Sequence, residues 1–220
     1  MAGTPITDSN EPAPGRTRRY RSSEVVRDAL VNAAISEFAA HGFNGASTRR
    51  MAEAAGTYQS QIKYHFNTKD ELWRRCLDRL LAELDATIAE ATDHSRNDPL
   101  ALVDAAIRGL VRFAAKRPQL SRIMMHEATS PSDRLTWLVE EHSSQRQALL
   151  TRAWSELRKS GAVAPIDSGA LYHTLIGAAS LLYANAPEAQ LMGVDPSDPE
   201  LVERHADALV AIFLSAPTTR

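Results

Sequence analysis

The chain has 220 residues, a formal net charge of −2 and 44% hydrophobic residues, so it can bury a substantial core. Its one cysteine, Cys76, excludes an internal disulfide and favours a reducing, cytoplasmic location. The sequence contains no run of 18 apolar residues and no signal-peptide core, so we expect no membrane partner. Residues 1–20 contain proline and few large apolar side chains, and we predict a flexible tail there.

Charge is distributed unevenly along the chain. Residues 16–80 carry 12 Lys and Arg against 7 Asp and Glu, whereas residues 81–220 carry 13 against 18. A basic end on an acidic body is expected if that end binds a polyanion such as DNA. Chance clustering on a solvated surface would explain the asymmetry equally well. Four arginines precede the first helix and form either a DNA-binding arm or a solvated basic tail: Arg16, Arg18, Arg19 and Arg21.

Three short helices are predicted near the basic end. Apolar residues at three-to-four spacing place them at 27–40, 48–55 and 59–65. Gly42 and Gly56 are suited to the left-handed position that ends a helix, and Ser47 is a suitable N-cap for the second helix. Two short helices joined by a tight turn form a helix-turn-helix, whose second helix enters the DNA major groove.

Hydrogen-bonding side chains crowd the third helix. Gln59 and Gln61 are suited to base edges, Lys63 to guanine or phosphate, and Tyr58 and Tyr64 to phosphate or a thymine methyl. The N-terminus of the second helix, at Thr48, Arg49 and Arg50, offers backbone N–H groups and positive charge, and we predict that at least one of the two arginines contacts a phosphate. A polar surface helix without any DNA contact would have a similar composition.

A wider pattern strengthens the DNA-binding interpretation. It reads Phe43-x-x-x-Ser47, Met51-Ala52-x-Ala54-Ala55-Gly56, Ile62-x-Tyr64-His65-Phe66 and Lys69-x-x-Leu72. Over about residues 24–75 this combination resembles the tetracycline-repressor (TetR) family of transcription regulators. The resemblance implies an all-α fold, with a three-helix DNA-binding head at 21–67 and a larger helical ligand-binding and dimerisation domain at 68–220.

The resemblance also implies individual roles. The family's recognition helix matches 58–65, and its common phosphate contact at the start of the fourth helix matches Lys69. Two positions depart from the family, because many relatives have Ser in place of Tyr58 and Tyr in place of Lys63. The predicted DNA-binding residues are Ser47, Thr48, Arg49, Tyr58, Gln59, Ser60, Gln61, Lys63, Tyr64 and Lys69.

Six further helices are predicted after the head. They span about 69–92, 99–116, 120–129, 132–160, 168–186 and 199–214, and a long loop covers 187–199. Cys76 lies on the apolar stripe of the first of these, where we interpret it as a small buried hydrophobe. Adaptable methionines and aromatic side chains in the body suit a small-molecule site, although such stripes also form ordinary cores. The candidate ligand-binding residues are Phe113, Met124, Met125, His126, Trp137, His142 and Tyr183.

The last two helices carry small residues that would let another helix approach closely. We predict that they form a four-helix interface between two subunits, as the resemblance implies, although they could equally close a monomeric core. The predicted dimer residues are His173, Gly177, Ser180, Ala184, His205, Leu209 and Ile212. A symmetric dimer requires a near-palindromic operator in double-stranded DNA.

Together these features predict a ligand-responsive transcriptional regulator, most simply a repressor released from its operator by a small molecule. The alternative is a helical enzyme or adaptor with an appended DNA-binding head. Glycine-rich phosphate loops, HExxH and G-x-S-x-G are missing from the sequence, so we expect no catalytic residues, cofactor or metal. The nearest approach to an acid/base or metal set is His126-Glu127 with Glu140-Glu141-His142.

Overall fold

A computed structural model describes residues 23–95, 97–163 and 165–214. Within these ranges the regular structure is entirely helical, which confirms the all-α prediction. The α-helices are α1 (Ser23–Gly45), α2 (Thr48–Ala54), α3 (Ser60–Phe66), α4 (Lys69–Thr92), α5 (Pro99–Lys116), α6 (Pro118–Ala128), α7 (Asp133–Leu138), α8 (Ser144–Lys159), α9 (Ser168–Ala184), α10 (Ala186–Leu191) and α11 (Pro199–Leu214). The predicted flexible tail at 1–20, its three arginines Arg16, Arg18 and Arg19, and Arg21 lie outside the described residues.

The first three helices form a compact unit around a shared core. Leu30 and Phe38 of α1 and Met51 of α2 are fully buried. Gly42 takes the positive φ predicted for a helix end, with φ 63° and ψ 179°, and this buried kink interrupts α1 before a short last segment that reaches Gly45. Gly56 takes the expected positive φ of 65° between α2 and α3.

Helix α4 connects this unit to the rest of the molecule. Its stripe of Leu72, Trp73, Leu77 and Leu80 is buried, and the helix packs against both α1 and α5. Cys76 is fully buried with its Sγ 3.7 Å from the carbonyl oxygen of Val31, and burial raises the pKa of the thiol. Its interpretation as a small buried hydrophobe is therefore confirmed.

The larger part of the molecule is built around α5, which packs on α4, α9 and α11. The single helix predicted over 132–160 is continuous from Asp133 to Lys159, and a π-helical turn at Val139–Ser143 lies within it between α7 and α8. The helix predicted to end near 186 breaks at Asn185, since Pro187 has no N–H to donate to the carbonyl of the preceding turn. Helix α10 then occupies the first part of the predicted 187–199 loop.

Candidate DNA-binding surface and effector cavity

The N-terminus of α2 is held in place by a carboxylate of α1. Ser47 caps the helix by accepting from the N–H of Arg50, and its own N–H donates to Glu37 at 2.8 Å. The Arg50 Nε also donates to Glu37, at 2.9 Å, and its Nη2 to the carbonyl of Gly45 at 3.0 Å. Burial acts to raise the pKa of Glu37, but the hydrogen bonds from Arg50 and Ser47 hold it below its ordinary value. Arg50 is therefore a positioning residue, whereas Arg49 is exposed and paired with Glu53 at 2.8 Å.

Helix α3 presents its polar side outward. Ile62 and Phe66 are buried, as predicted, and this orients the opposite face toward solvent. Tyr58 and Tyr64 are 71% and 74% exposed, an unusual state for aromatic side chains of this size. The exposed polar set also includes Ser60 and Lys63, whereas Gln61 is half-buried.

Gln59 also makes a hydrogen bond within the protein, which the sequence does not indicate. Its Nε2 donates to Thr48 Oγ1 at 2.8 Å, which ties α3 to the start of α2. The two residues, together with Ser60, Lys63 and Lys69, line one open cleft of about 400 Å³. The structure thus brings predicted DNA-binding residues from three helices onto one surface.

Lys69 is partly engaged within the head. Its Nζ donates to the carbonyl of Ala46 at 2.6 Å and lies 4.8 Å from the centre of the Phe43 ring. Burial lowers the pKa of this ammonium, with partial compensation by Glu37. Since an ammonium has three donors, Lys69 can still donate to a phosphate at the cleft.

Phe43 is also one of the residues through which the three-helix head contacts the rest of the molecule, in addition to the packing of α1 on α4 and α6. The Arg134 guanidinium of α7 lies 3.7 Å from the centre of its ring. Arg134 is held there by Glu127 of α6, which is 7% exposed and accepts from it at 3.1 and 3.2 Å. Ser132 donates a further hydrogen bond to Glu127. Sequence reasoning missed Arg134 because its partners lie far away along the chain.

A second contact lies beside the first. The ring of His126, the residue before Glu127, borders the kink at Gly42, and both line a polar crevice with Phe43. His126, predicted to bind a ligand, therefore faces the head. We call the group Gly42, Phe43, His126, Glu127 and Arg134 the head–body junction.

A cavity of about 310 Å³ lies within the body, between α4, α5, α6, α8 and α9. Most of its lining is aliphatic, as illustrated by Leu84, Ile107 and Leu175. Two of the seven predicted ligand-binding residues, Phe113 and Met124, belong to the lining. A volume of this size is typical of small-molecule sites.

The other predicted ligand-binding residues have different surroundings. Trp137 packs edge-on against Trp73 and His142, and His142 Nε2 lies 3.1 Å from Asp78 Oδ1 of α4. Tyr183 is buried with its hydroxyl 3.0 Å from His205 Nδ1, while Met125 is exposed at the surface of α6. None of these side chains is among those that line the cavity.

Two charged side chains in the cavity wall were missed by sequence reasoning. Arg146 of α8 donates to both carboxylate oxygens of Asp85 of α4, with Nε–Oδ1 at 3.1 Å and Nη2–Oδ2 at 2.6 Å. Its Nη1 donates to the carbonyl of His142 at 2.9 Å. The apolar stripe that continues along α4 past Leu81 was the available signal for the cavity's location, but it does not reveal this ion pair.

Helices α9 and α11 present a mixed surface. His173 and Gly177 of α9 and Ile212 of α11 are exposed, and a Cβ added at Gly177 would meet no atom within 4 Å. In contrast, three predicted dimer residues are already buried within one chain: Ser180, Ala184 and Leu209. His205 is half-buried and forms a hydrogen bond with the hydroxyl of Tyr183. Fewer of the predicted dimer residues are therefore accessible to a second subunit than we expected from the sequence.

Among the described residues, no three His, Cys, Asp or Glu side chains are grouped so that they could hold a metal ion. The candidate acid/base residues Glu127 and His142 instead bond to Arg134 and Asp78, respectively. Within the same ranges, no helix is both long and apolar enough to cross a bilayer.

Comparison with known proteins identifies the family. Residues 30–76 match the model of the bacterial regulatory proteins, tetR family. The HTH-type transcriptional regulator RutR of Escherichia coli K12 is 30% identical over 182 residues, covering 79% of this chain and 81% of RutR. The regulatory protein RaaS of Mycobacterium tuberculosis is 36% identical over 80 residues, 36% of each chain.

Solved structures share the fold at lower identity. The ketosteroid transcriptional regulator KstR2 of Mycobacterium tuberculosis superposes with a TM-score of 0.67 at 17% identity, covering 86% of this chain and 95% of KstR2. The hemolysin II transcriptional regulator HlyIIR gives 0.64 at 18% identity, covering 85% of this chain and 98% of HlyIIR. From its head, its body and its relatives, the chain belongs to the TetR family of DNA-binding transcriptional regulators.

Proposed function

We propose that this regulator is a cytoplasmic homodimeric repressor, which leaves its operator when a small molecule fills the body cavity. The head at residues 21–67 binds DNA, and the body at 68–220 binds the effector and the second subunit. We propose no catalytic role, in accord with relatives that are named as transcriptional regulators.

The observation that carries this proposal is the double role of α6. Met124 on this helix lines the cavity, while His126 and Glu127, two and three residues later, contribute to the head–body junction. A ligand that displaces Met124 would therefore alter the support of Phe43 and, through it, the head. Such a ligand shifts the equilibrium between two conformations according to its different affinity for each.

The DNA-binding step follows from the exposed face of α3. Tyr58, Ser60, Lys63 and Tyr64 would enter the major groove, while Arg49 and Lys69 would contact phosphates. In a dimer, two such helices must lie about 34–36 Å apart to reach successive turns of B-DNA. An effector that changes this spacing would weaken DNA binding by a coupling free energy of about 1–3 kcal/mol.

Fluorescence anisotropy tests the proposal directly. The full chain is titrated into labelled DNA from immediately upstream of its own gene and into a scrambled duplex, at several salt concentrations. We expect selective binding to the upstream DNA, with affinity that falls steeply as salt rises. Weak binding that is equal for both duplexes and for a genome-wide fragment set would contradict the proposed repressor role.

A further inference from the structure

The chemistry of the cavity wall restricts what the cavity can hold. Apart from the pair of Asp85 and Arg146, its lining consists of aliphatic and aromatic side chains with a few hydroxyl groups, those of Ser121, Ser143, Tyr172 and Ser180. The Ser180 hydroxyl already donates to the carbonyl of Ile176 at 2.7 Å. A ligand bound here would therefore gain most of its affinity from burial of apolar surface.

Among the described residues that line the cavity, the two charged side chains neutralise each other. Both carboxylate oxygens of Asp85 accept from Arg146, and the remaining terminal nitrogen of Arg146 donates to the carbonyl of His142. Every nitrogen of the guanidinium is therefore engaged inside the protein. The wall offers neither an unpaired cation to an acid nor an unpaired carboxylate to an amine.

A charged ligand would lose free energy at this site. It would give up its hydration on entry and would then either remain unpaired among aliphatic side chains or compete for Arg146 with Asp85, whose side chain is 57% exposed. An uncharged ligand avoids both costs, and the hydroxyl groups of the wall can satisfy one or two polar atoms on it.

The volume of about 310 Å³ corresponds to about ten water molecules at about 30 Å³ each.

We propose that the effector is an uncharged, mainly apolar molecule with one or two hydroxyl or carbonyl groups, and that ionic analogues of the same shape are rejected. This inference rests on the proposed role of the cavity as the effector site. The pair of Asp85 and Arg146 is the specificity determinant, because it leaves no charge in the wall unpaired.

Three probes of equal chain length test this proposal: 1-decanol, decanoate and decylamine. Their binding to the full chain is measured by isothermal titration calorimetry at pH 7.5, below the concentrations at which they form micelles. We expect 1-decanol to bind at least tenfold more tightly than either ionic probe. Failure of 1-decanol to bind, or tighter binding of an ionic probe, would overturn the proposal.

Two substitutions test the role of the pair. Asp85→Asn leaves Arg146 without its counter-ion, so the affinity for decanoate relative to 1-decanol should rise tenfold or more. Arg146→Gln should raise the relative affinity for decylamine in the same way. Asp78→Asn is the matched control, because Asp78 lies two turns earlier on α4, pairs with His142 and does not line the cavity. Unchanged preferences in both variants, each shown to unfold cooperatively, would assign the selectivity to something other than this pair.

The same probes separate this inference from the proposed function. Calorimetry is carried out without DNA, and release of the upstream DNA is followed separately by anisotropy. If 1-decanol binds as expected but the DNA remains bound, the proposed selectivity of the cavity for uncharged ligands is supported. The proposed release of DNA by a ligand in this cavity is then contradicted.

Discussion

At the scale of single residues, the predicted DNA-binding set divides into two groups. Gln59 and Lys69 each make a hydrogen bond inside the head, so part of their role is to position α2, α3 and α4. Tyr58, just before α3, and Lys63 and Tyr64 on α3 are exposed to solvent. We therefore expect the second group to decide affinity for DNA more directly than the first.

Lys63 gives the sharpest test of this division. Replacing it with alanine should weaken operator binding by about 1–3 kcal/mol if it reads a base, with the loss confined to one base position. A uniform loss across sequences with a smaller salt slope would instead assign it to a phosphate. The measurement is anisotropy on an operator and its single-base variants, with Lys159→Ala in α8 as the control. DNA affinity equal to that of the unmodified chain would contradict both roles.

The kink at Gly42 should tolerate no side chain. With φ 63° and ψ 179°, its backbone lies in a region that only glycine adopts readily, and an added Cβ would lie 3.3 Å from the His126 ring. We expect Gly42→Ala to lower the free energy of unfolding by about 1–3 kcal/mol, measured in urea. Gly161→Ala is the control, since Gly161 also has a positive φ but has open space around it. An equal loss in both variants would show that the contact with His126 adds nothing.

His205 should make the stability of the body depend on pH. Burial lowers its pKa from the ordinary 6.5, partly opposed by a hydrogen bond to the backbone of Ala178. The unfolded chain therefore takes up a proton at a higher pH than the folded chain, so stability is full above pH 6.5 and falls as pH drops below that value. Urea unfolding between about pH 7.5 and 5.5 should show a steeper decline in the unmodified chain than in His205→Gln. Parallel pH profiles would contradict this assignment.

At the scale of helices, the important arrangement is the contact of α6 and α7 with the kinked end of α1. The buried carboxylate of Glu127 orients Arg134. The guanidinium of Arg134 and the ammonium of Lys69 both lie close to the Phe43 ring. Lys69, a predicted phosphate contact, and Arg134, which is bound to Glu127 of the cavity-lining helix α6, therefore meet at one aromatic ring. This arrangement gives the head a support that depends on the position of α6.

Removal of Arg134 should loosen the head without unfolding the body. Arg134→Gln loses the cation–π contact and the ion pair with Glu127, so we expect about 1–2 kcal/mol less local stability. Hydrogen exchange of amides in 40–54 should become about tenfold faster, while exchange in α9 stays unchanged. Arg158→Gln, on the exposed end of α8, is the matched control. Equal exchange in 40–54 for all three proteins would show that the junction does not support the head.

At the scale of the whole molecule, the exposed side of α9 and α11 is the surface that we propose for dimerisation. A glycine inside a helix costs about 1 kcal/mol relative to alanine, and no atom of the same chain requires Gly177 to be small. Close approach of a second subunit would explain its presence. Ile212, exposed by 64% on α11, would supply apolar surface to the proposed interface.

Gly177→Leu tests the dimer. Leucine favours a helix more than glycine does, so the fold of one chain should be preserved while the second subunit is kept at a distance. Sedimentation velocity should show monomer, and operator affinity should fall because the two heads are no longer linked. Ala128→Leu, an enlargement at an exposed position near the end of α6, should remain dimeric. A dimer of undiminished stability in Gly177→Leu would place the interface elsewhere.

Most of the helices, their apolar faces and the family could be predicted from local patterns in the amino-acid sequence, although α10 was predicted as part of a loop. These features depend on local spacing, as in the predicted and observed α4 at 69–92, or on a linear pattern such as the motif from Phe43 to Leu72. The burial of Ile62 and Phe66 was predicted for the same reason, because a short helix with two anchors can turn only one side inward.

Which apolar faces close a core and which enclose a cavity could not be predicted, because it depends on how the helices pack against one another. Phe113 and Met124 line the cavity, whereas Tyr183, equally suitable by residue type, is buried against His205. Ser180 and Ala184 are covered by their own chain, although their spacing suits a contact with another subunit. Helical periodicity gives the direction in which a side chain points. The distance to the facing helix depends on residues remote in sequence. Because a short distance gives a packed core and a longer one leaves a cavity, the sequence pattern alone cannot distinguish the two.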